Sequence, residues 1–287
     1  MGTRQSRVPN QPGMGAGALR EELGSQPPRD LLTSVARALE VLELVAGARE
    51  PLPVKVVASR LGISLGTAYH VMHTLEHGGY VVRLGRGQFG LGGKVSELSR
   101  LFVEGVELLP VVRPHLEELA DIAAEDTYLA VMRGGEIVVA EVIEGATSLH
   151  CGDLGVGFSR VAHSTALGKM LLAAMPEEDV DHYLFERRLS RLTARTLVER
   201  RHVKRHLRAV RELGLARDLE EFADGVCCVA FPIFGAAGTT EASIGMSVPT
   251  RRWRMEQEQL TRLCAAAALR TSAELGAPEP VVGSAAR

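Results

Sequence analysis

Between Leu52 and Gly92 a helix, a glycine turn, a second helix and a glycine-punctuated hairpin follow one another, and no other stretch constrains the fold as tightly. The first segment, VKVVASRL, sets Val54, Val57, Ala58 and Leu61 on one helical face, and Gly62 ends it. Ile63 is expected as a buried plug and Ser64 as the N-cap of SLGTAYHVMHTLEHGG, whose inner stripe is Ala68, Val71, Met72 and Leu75. The opposite face carries Gly66, Thr67, Tyr69, His70 and His73, with Ser64 at its start. Such short polar groups and ring edges reach phosphates and base edges when a recognition helix lies in the major groove. Gly78 and Gly79 close the helix, and YVVRLGRGQFGLGG reads as two short strands around Gly85, Arg86 and Gly87. Arg83 and Arg86 then stand where a wing touches the DNA backbone or minor groove. A helix pair split by a glycine occurs in many all-α proteins; the hairpin with its basic tip makes the pattern a winged helix-turn-helix.

The charge distribution agrees. The net charge of −2 over 287 residues divides unevenly: residues 31–94 hold seven Lys+Arg against four Asp+Glu, and residues 95–287 hold 22 against 28. Only the first block has the sign suited to phosphate, and its excess of +3 doubles in a dimer. At 46% hydrophobic content the chain can bury a core and is expected to form two domains. Its apolar runs, such as VCCVAFPIF, fall short of the roughly 20 residues that span a bilayer, so no membrane partner is expected. The first 30 residues, rich in Gly, Pro, Arg and Gln and without a secretory apolar core, read as a disordered tail. Cys151, Cys227, Cys228 and Cys264 show no CxxC spacing and no neighbouring His pair, so neither a metal nor a cofactor is expected, and a reduced, cytoplasmic protein is the simple inference.

Upstream of the helix pair, SVARALEVLELVAG is an amphipathic helix with Val35, Leu39, Leu42 and Val45 inward and Ser34 placed to cap it. Lys94 to Gly105 reads as a connecting helix, and Leu108 to Ala124 as another with Val112, Leu116 and Leu119 inward. Then come a hairpin, TYLAVMR and EIVVAEVIE around Gly134 and Gly135, and a third strand over residues 148–154. A helix over His163 to Met175 is capped by Ser164 or Thr165, with Gly168 allowing close packing, and helices follow over Glu177 to Leu189 and Thr196 to Leu213. The basic run RRHVKRHLRAVR belongs to a core stripe of Val198, Val203, Leu207, Val210 and Leu213, so its charges form a solvated face. Two strands, VCCVAFPIF and EASIGMSVP, and a helix from about Arg254 complete the chain. The fold class is α+β: a winged helix-turn-helix over 31–93, a linker helix over 94–108, an antiparallel sheet domain flanked by helices over 109–275, and a disordered tail over 276–287.

Five stretches resemble the IclR family of bacterial transcription regulators: SVARALEVL, LGISLGTAYHVMHTLEHGGYV, the wing ending FGLGG, AHSTALGKMLLA, and the span from LTARTLVERR to ASIGMSVP. The resemblance covers about residues 33 to 270. It implies an N-terminal winged helix, a dimerising linker helix and a C-terminal GAF-like domain that holds a small effector, often an organic or aromatic acid; the partners would be a double-stranded operator and a second copy, as dimer or dimer of dimers. Carried over by position, the effector pocket is His163, Ala166, Leu167, Asp218, Cys228, Gly245 and Ser247. The helix start at His163 to Ala166 would offer N–H groups and partial positive charge to an anion. The residue-level alternatives are a turn role for Asp218, a core role for Cys228 and a local strand hydrogen bond for Ser247. Departures matter too. Gly245 stands where relatives tend to have serine, Val161 where proline often precedes HSTA, and Leu65, Gly66 and His70 where relatives often carry Lys, Ser and Arg. The expected function is thus a dimeric regulator binding a palindromic operator under a small effector's control, or an effector-independent developmental regulator of the same fold. An enzyme built on Cys227 or Cys228 with His163 is disfavoured, since both cysteines read as strand core with no group to orient a base, and neither GxSxG nor a Walker loop is present.

Overall fold

Gly62 takes the left-handed conformation, φ 63°, and this one residue converts a run of helix formers into two helices. The structure, a computed structural model, describes residues 31–48, 50–104, 106–147, 154–157 and 161–278, the side chains of residues 86, 99, 100 and 102–104 excepted. The chain divides into two units, residues 1–101 and 102–287. The expected tail over 1–30, Cys151, nearly all of the expected strand over 148–154 and most of the tail over 276–287 lie outside the described residues; Leu154 is described and is not in a strand.

In the first unit, α1 (Thr33–Ala46) precedes β1 (Leu52–Pro53), α2 (Val54–Leu61), α3 (Leu65–His77), β2 (Val81–Arg83), a single 3-10 turn (Gly85–Gly87) and β3 (Gln88–Leu91). The strands form an antiparallel sheet in the order β1-β3-β2, with Leu52 opposite Phe89 and Arg83 opposite Phe89 on its other side. The expected hairpin is there; the two-residue β1 beside it was not expected. Val41, Leu44 and Val45 of α1, Val54, Val57 and Ala58 of α2, Ala68, Met72 and Leu75 of α3, and Val81 and Phe89 make the core. Ile63 is only half-buried against it. The expected α1 stripe is met in its second half only: Val45 is buried and Leu42 is half-buried against the core. Val35 is 52% and Leu39 55% exposed, Leu32 rather than Ser34 occupies the cap position, and no side chain caps it. The residues of α1 that meet this core are Val41, Leu44 and Val45, with Ala38 and Leu42 half-buried against it.

The second unit contains α5 (Leu109–Ala123), β4 (Thr127–Arg133), β5 (Glu136–Ile143), α6 (Ala166–Ala174), α7 (Glu177–Glu186), α8 (Arg200–Leu213), β6 (Ala216–Leu219), β7 (Val226–Phe234), β8 (Thr240–Pro249) and α9 (Thr250–Glu274); α4 (Gly93–Glu104) spans the division between the units. Its five strands are antiparallel in the order β5-β4-β8-β7-β6. Alternation along each strand gives the sheet two covered faces. Leu129, Val131, Val229, Ile244, Met246 and Val248 meet Val112, Leu116 and Leu119 of α5 and Trp253, Leu260 and Cys264 of α9. Tyr128, Ala130, Cys228, Ala230 and Ala216 face the other way, toward α6 and, beyond it, Val203, Leu207 and Val210 of α8.

Several boundaries move. Helix α6 begins at Ala166, not His163, because Thr165 caps it: its Oγ1 accepts from Gly168 N at 3.1 Å, while Ser164 Oγ donates to Val161 O. Helix α7 ends at Glu186 and α8 starts at Arg200, with Val198 half-buried and Leu213 59% exposed. Helix α9 starts directly after Pro249, four residues before the expected Arg254. Strand β6, unexpected, places three strands rather than two between α8 and α9. The basic run of α8 is a solvated face as expected: Lys204 Nζ donates to Asp181 at 2.8 Å and Arg208 to Glu177 at 2.7 Å, both acids on α7.

Candidate functional site

Two surfaces carry the residues singled out in the sequence, one in each unit. On α3, Ser64 Oγ accepts from Thr67 N at 3.0 Å and lies 2.8 Å from Thr67 Oγ1, so both hydroxyls are engaged in closing the first turn. Leu65 (41%), Tyr69 (50%), His70 and His73 are exposed along the outer face. A side chain built at Gly66 would meet nothing nearer than Ser64 Oγ at 3.9 Å, so the backbone is bare there. Arg83 on β2 lies with its guanidinium 5.1 Å from the centre of the Phe89 ring and 3.5 Å from Glu76, half in solvent. The Arg86 backbone lies in the turn at the tip of the hairpin, and its side chain is outside the described residues. All eight expected DNA-contacting positions thus fall on α3, its cap or the hairpin.

In the second unit the β-register gathers the expected effector positions. Asp218 pairs with Cys228 and Cys228 with Ser247; one row on, Gly245 stands between Tyr128 and Ala230. Ala166 and Leu167, at the start of α6, lie over these rows: a Cβ on Gly245 would come 3.1 Å from Leu167 Cδ2 and 2.7 Å from Val229 O. Two small recesses with about 10 Å³ of room each open here, which is space for about one water. Tyr128, Leu154, Thr165, Ala166, Leu167 and Cys228 line one of them; Ala130, Val139, Val161, Ala162 and Gly168 are in the lining of the other. Tyr128 was not foreseen, and its hydroxyl stands 3.2 Å from Ser247 Oγ. Of the seven expected positions only Ala166, Leu167 and Cys228 line a recess; Asp218, Gly245 and Ser247 do not, and His163, 3% exposed with its Nε2 3.0 Å from Ser190 O, lines neither.

Beside this row lies a buried polar cluster. Lys169, on α6, which is buried from Ala166 to Ala173, has no exposed surface and donates to Glu221 Oε1 at 2.5 Å. Asp218, 1% exposed, accepts from Glu221 N at 2.6 Å and Phe222 N at 3.3 Å, so it holds the turn after β6. Burial pushes its carboxyl up to about 7, against the pull of Lys169 and of those N–H groups. Burial, aided by Lys169, brings His206 on α8 down to about 4, and burial lowers His163 as well. Glu221 Oε2 and His206 Nε2 have no hydrogen-bond partner among the described residues. The Lys169–Glu221 pair was missed at sequence level, although one lysine inside ALGKMLLAA signals it: a helix apolar all round is buried, and a buried lysine needs a counter-charge.

Burial pushes the Cys227 and Cys264 thiols up, away from the thiolate that nucleophilic chemistry needs. Among the described residues no group of three His, Cys, Asp or Glu could hold a metal, and no helix is long and apolar enough to cross a membrane.

Known proteins share this arrangement. Residues 34–85 match the IclR helix-turn-helix domain and residues 101–274 match the domain described as bacterial transcriptional regulator IclR C-terminal. The chain is 29% identical to the HTH-type transcriptional regulator XynR of Escherichia coli over 77% of its own length and 88% of that protein. It is 30% identical to the glycerol operon regulatory protein of Streptomyces coelicolor, covering 86% of this chain and 97% of the other. The crystal structure of the Thermotoga maritima IclR superposes with a TM-score of 0.69 at 27% identity, over 86% of this chain and all of that one.

Proposed function

The chain belongs to the IclR family of bacterial transcription regulators, and from that premise we propose that it binds a palindromic operator as a homodimer and that a small organic acid modulates the binding. In this reading residues 31–93 are the DNA-binding domain, 94–108 the linker and 109–275 the effector domain. The observation that carries it is the outer face of α3: a hydroxyl-capped helix whose Gly66, Tyr69, His70 and His73 side is left uncovered, next to a hairpin bearing Arg83. Support for self-association comes from apolar side chains left in solvent. Leu32 at the cap of α1, Val35 and Leu39 on α1, and Leu98 and Leu101 on α4 are each 45–71% exposed. Two-fold symmetry of the dimer would be mirrored in the operator.

The effector would enter between the start of α6 and the row Asp218, Cys228 and Ser247, and would shift regulation only through unequal affinity for two arrangements of the dimer. The small size of both recesses favours a second reading, regulation without an effector. Footprinting of the full chain on the DNA upstream of its own gene and of neighbouring operons, at low salt, tests the DNA-binding reading; no protected site there overturns it. A thermal-shift screen of the full chain against small acids separates the two regulatory readings, because a ligand of the folded state raises stability by mass action.

A further inference from the structure

The first turn of α3 presents an unusual surface to anything that meets it. Its two hydroxyls, Ser64 Oγ and Thr67 Oγ1, are 2.8 Å apart and occupied with the cap, and Gly66 contributes no side chain. The groups that project are the Leu65 side chain and, one turn on along the same ridge, the Tyr69 ring, 41% and 50% exposed. Neither belongs to the core of its unit. Neither carries a charge, so the bidentate recognition of guanine by a cationic side chain is not available here. Of the features that a base pair offers in the major groove, an apolar side chain matches one, the C5-methyl group of thymine.

We infer that Leu65 and Tyr69 select A·T pairs by packing on thymine methyl groups opposite the first turn of α3. This rests on the reading of α3 as the recognition helix. The bare backbone at Gly66 lets that turn approach the base edges closely enough for contact, since no side chain there holds the helix off. Specificity then comes from a hydrophobic contact in the groove, and affinity from phosphate contacts elsewhere.

The inference is tested with the full-length chain and a pool of duplexes with a randomised core. Sites are first selected from the pool, then resynthesised with deoxyuridine for thymine at each enriched position, which removes the methyl group and leaves the pairing edge intact. Wild-type protein is expected to lose about fourfold in affinity for each contacted methyl removed. Leu65→Ala and Tyr69→Ala are expected to bind the thymine duplex more weakly and to respond less to deoxyuridine, each at its own position. Salt-dependent binding by wild type with no effect of deoxyuridine at any position overturns the inference and leaves the DNA-binding reading standing. So does a deoxyuridine effect that both variants retain in full. If wild type binds no duplex in a salt-dependent way, the DNA-binding reading fails, and the inference with it. A lower dimer affinity in either variant, by sedimentation, with the deoxyuridine response unchanged, overturns the inference by assigning the ridge to a second copy.

Discussion

Lys169 Nζ, without any solvent exposure, sits 2.5 Å from Glu221 Oε1 and ties the middle of α6 to the turn that follows β6. Both ions have left water, so neither can lose the other without a large cost. Lys169→Met is expected to destabilise the protein by about 3 kcal/mol or more, as for other buried pairs deprived of one partner. Adding Glu221→Gln should recover much of the loss, since the stranded charge is gone. Urea unfolding of both variants checks this, and equal losses in the two would contradict it.

Asp218 and His206 pull the pH dependence of stability in opposite directions. Asp218 is raised from 3.8 to about 7, so its contribution is fully present below pH 3.8 and is lost as the pH rises through about 7, at most ~4 kcal/mol in all. His206 is lowered from 6.5 to about 4, so its contribution is present above pH 6.5 and is lost as the pH falls toward 4. Between pH 4 and 6.5 the two offset each other. Asp218→Asn keeps an acceptor for the N–H groups of Glu221 and Phe222 and removes the rising cost of ionisation. The difference in Tm, variant minus wild type, should therefore grow from pH 5 to pH 8; a constant difference would refute the assignment.

Gly245 has no room for a side chain. Gly245→Ala places a methyl group 2.7 Å from Val229 O and 3.1 Å from Leu167 Cδ2, and a cost of about 1–3 kcal/mol is expected from overpacking. Leu167→Ala in the same chain should relieve only the Leu167 part of the clash, because Val229 O and Ala230 Cβ, the latter 3.1 Å away, belong to the neighbouring strand. A double-mutant cycle in thermal unfolding measures that share.

For the wing, Arg83→Ala with Arg86→Ala should weaken binding to specific and random duplexes alike and flatten the dependence of log K on log salt by about one unit for each phosphate no longer neutralised. The fold should barely notice Arg83, whose pairing with Glu76 is in solvent. Tyr69→Ala and His70→Ala should change preference among sequences instead. Equal losses on specific and random DNA for the α3 variants would contradict this division.

What could be read from sequence was mostly what local chemistry decides. The Ser64 cap, the turn at Gly62, the β4–β5 hairpin at Gly134 and Gly135 and the inward stripe of α5 depend on residues within a few positions of one another. The misses depend on distant partners. Strand β1 exists because Leu52 finds Phe89, and β6, with charged Arg217 and Asp218, lacks any apolar alternation and is held by β7. On α1 only tertiary packing decides that Val41 and Leu44 are buried while Val35 and Leu39 stay in solvent. Of the expected effector positions, Asp218, Cys228 and Ser247 share one row of the sheet with Gly245 on the next, while Lys169, Glu221, His206 and Tyr128 needed the three-dimensional arrangement to be seen beside them.

Strand β8 lies at the centre of the five-stranded sheet, with Gly245 under α6 and its neighbours Ile244 and Met246 against the α5 and α9 side. Neighbouring residues on a strand point to opposite faces, so a displacement of β8 at Gly245 also displaces the packing on the far side. The sheet can therefore act as a diaphragm: a load placed on the central strand above Leu167 would reach the opposite layer directly, without any chain of side-chain contacts around the edge.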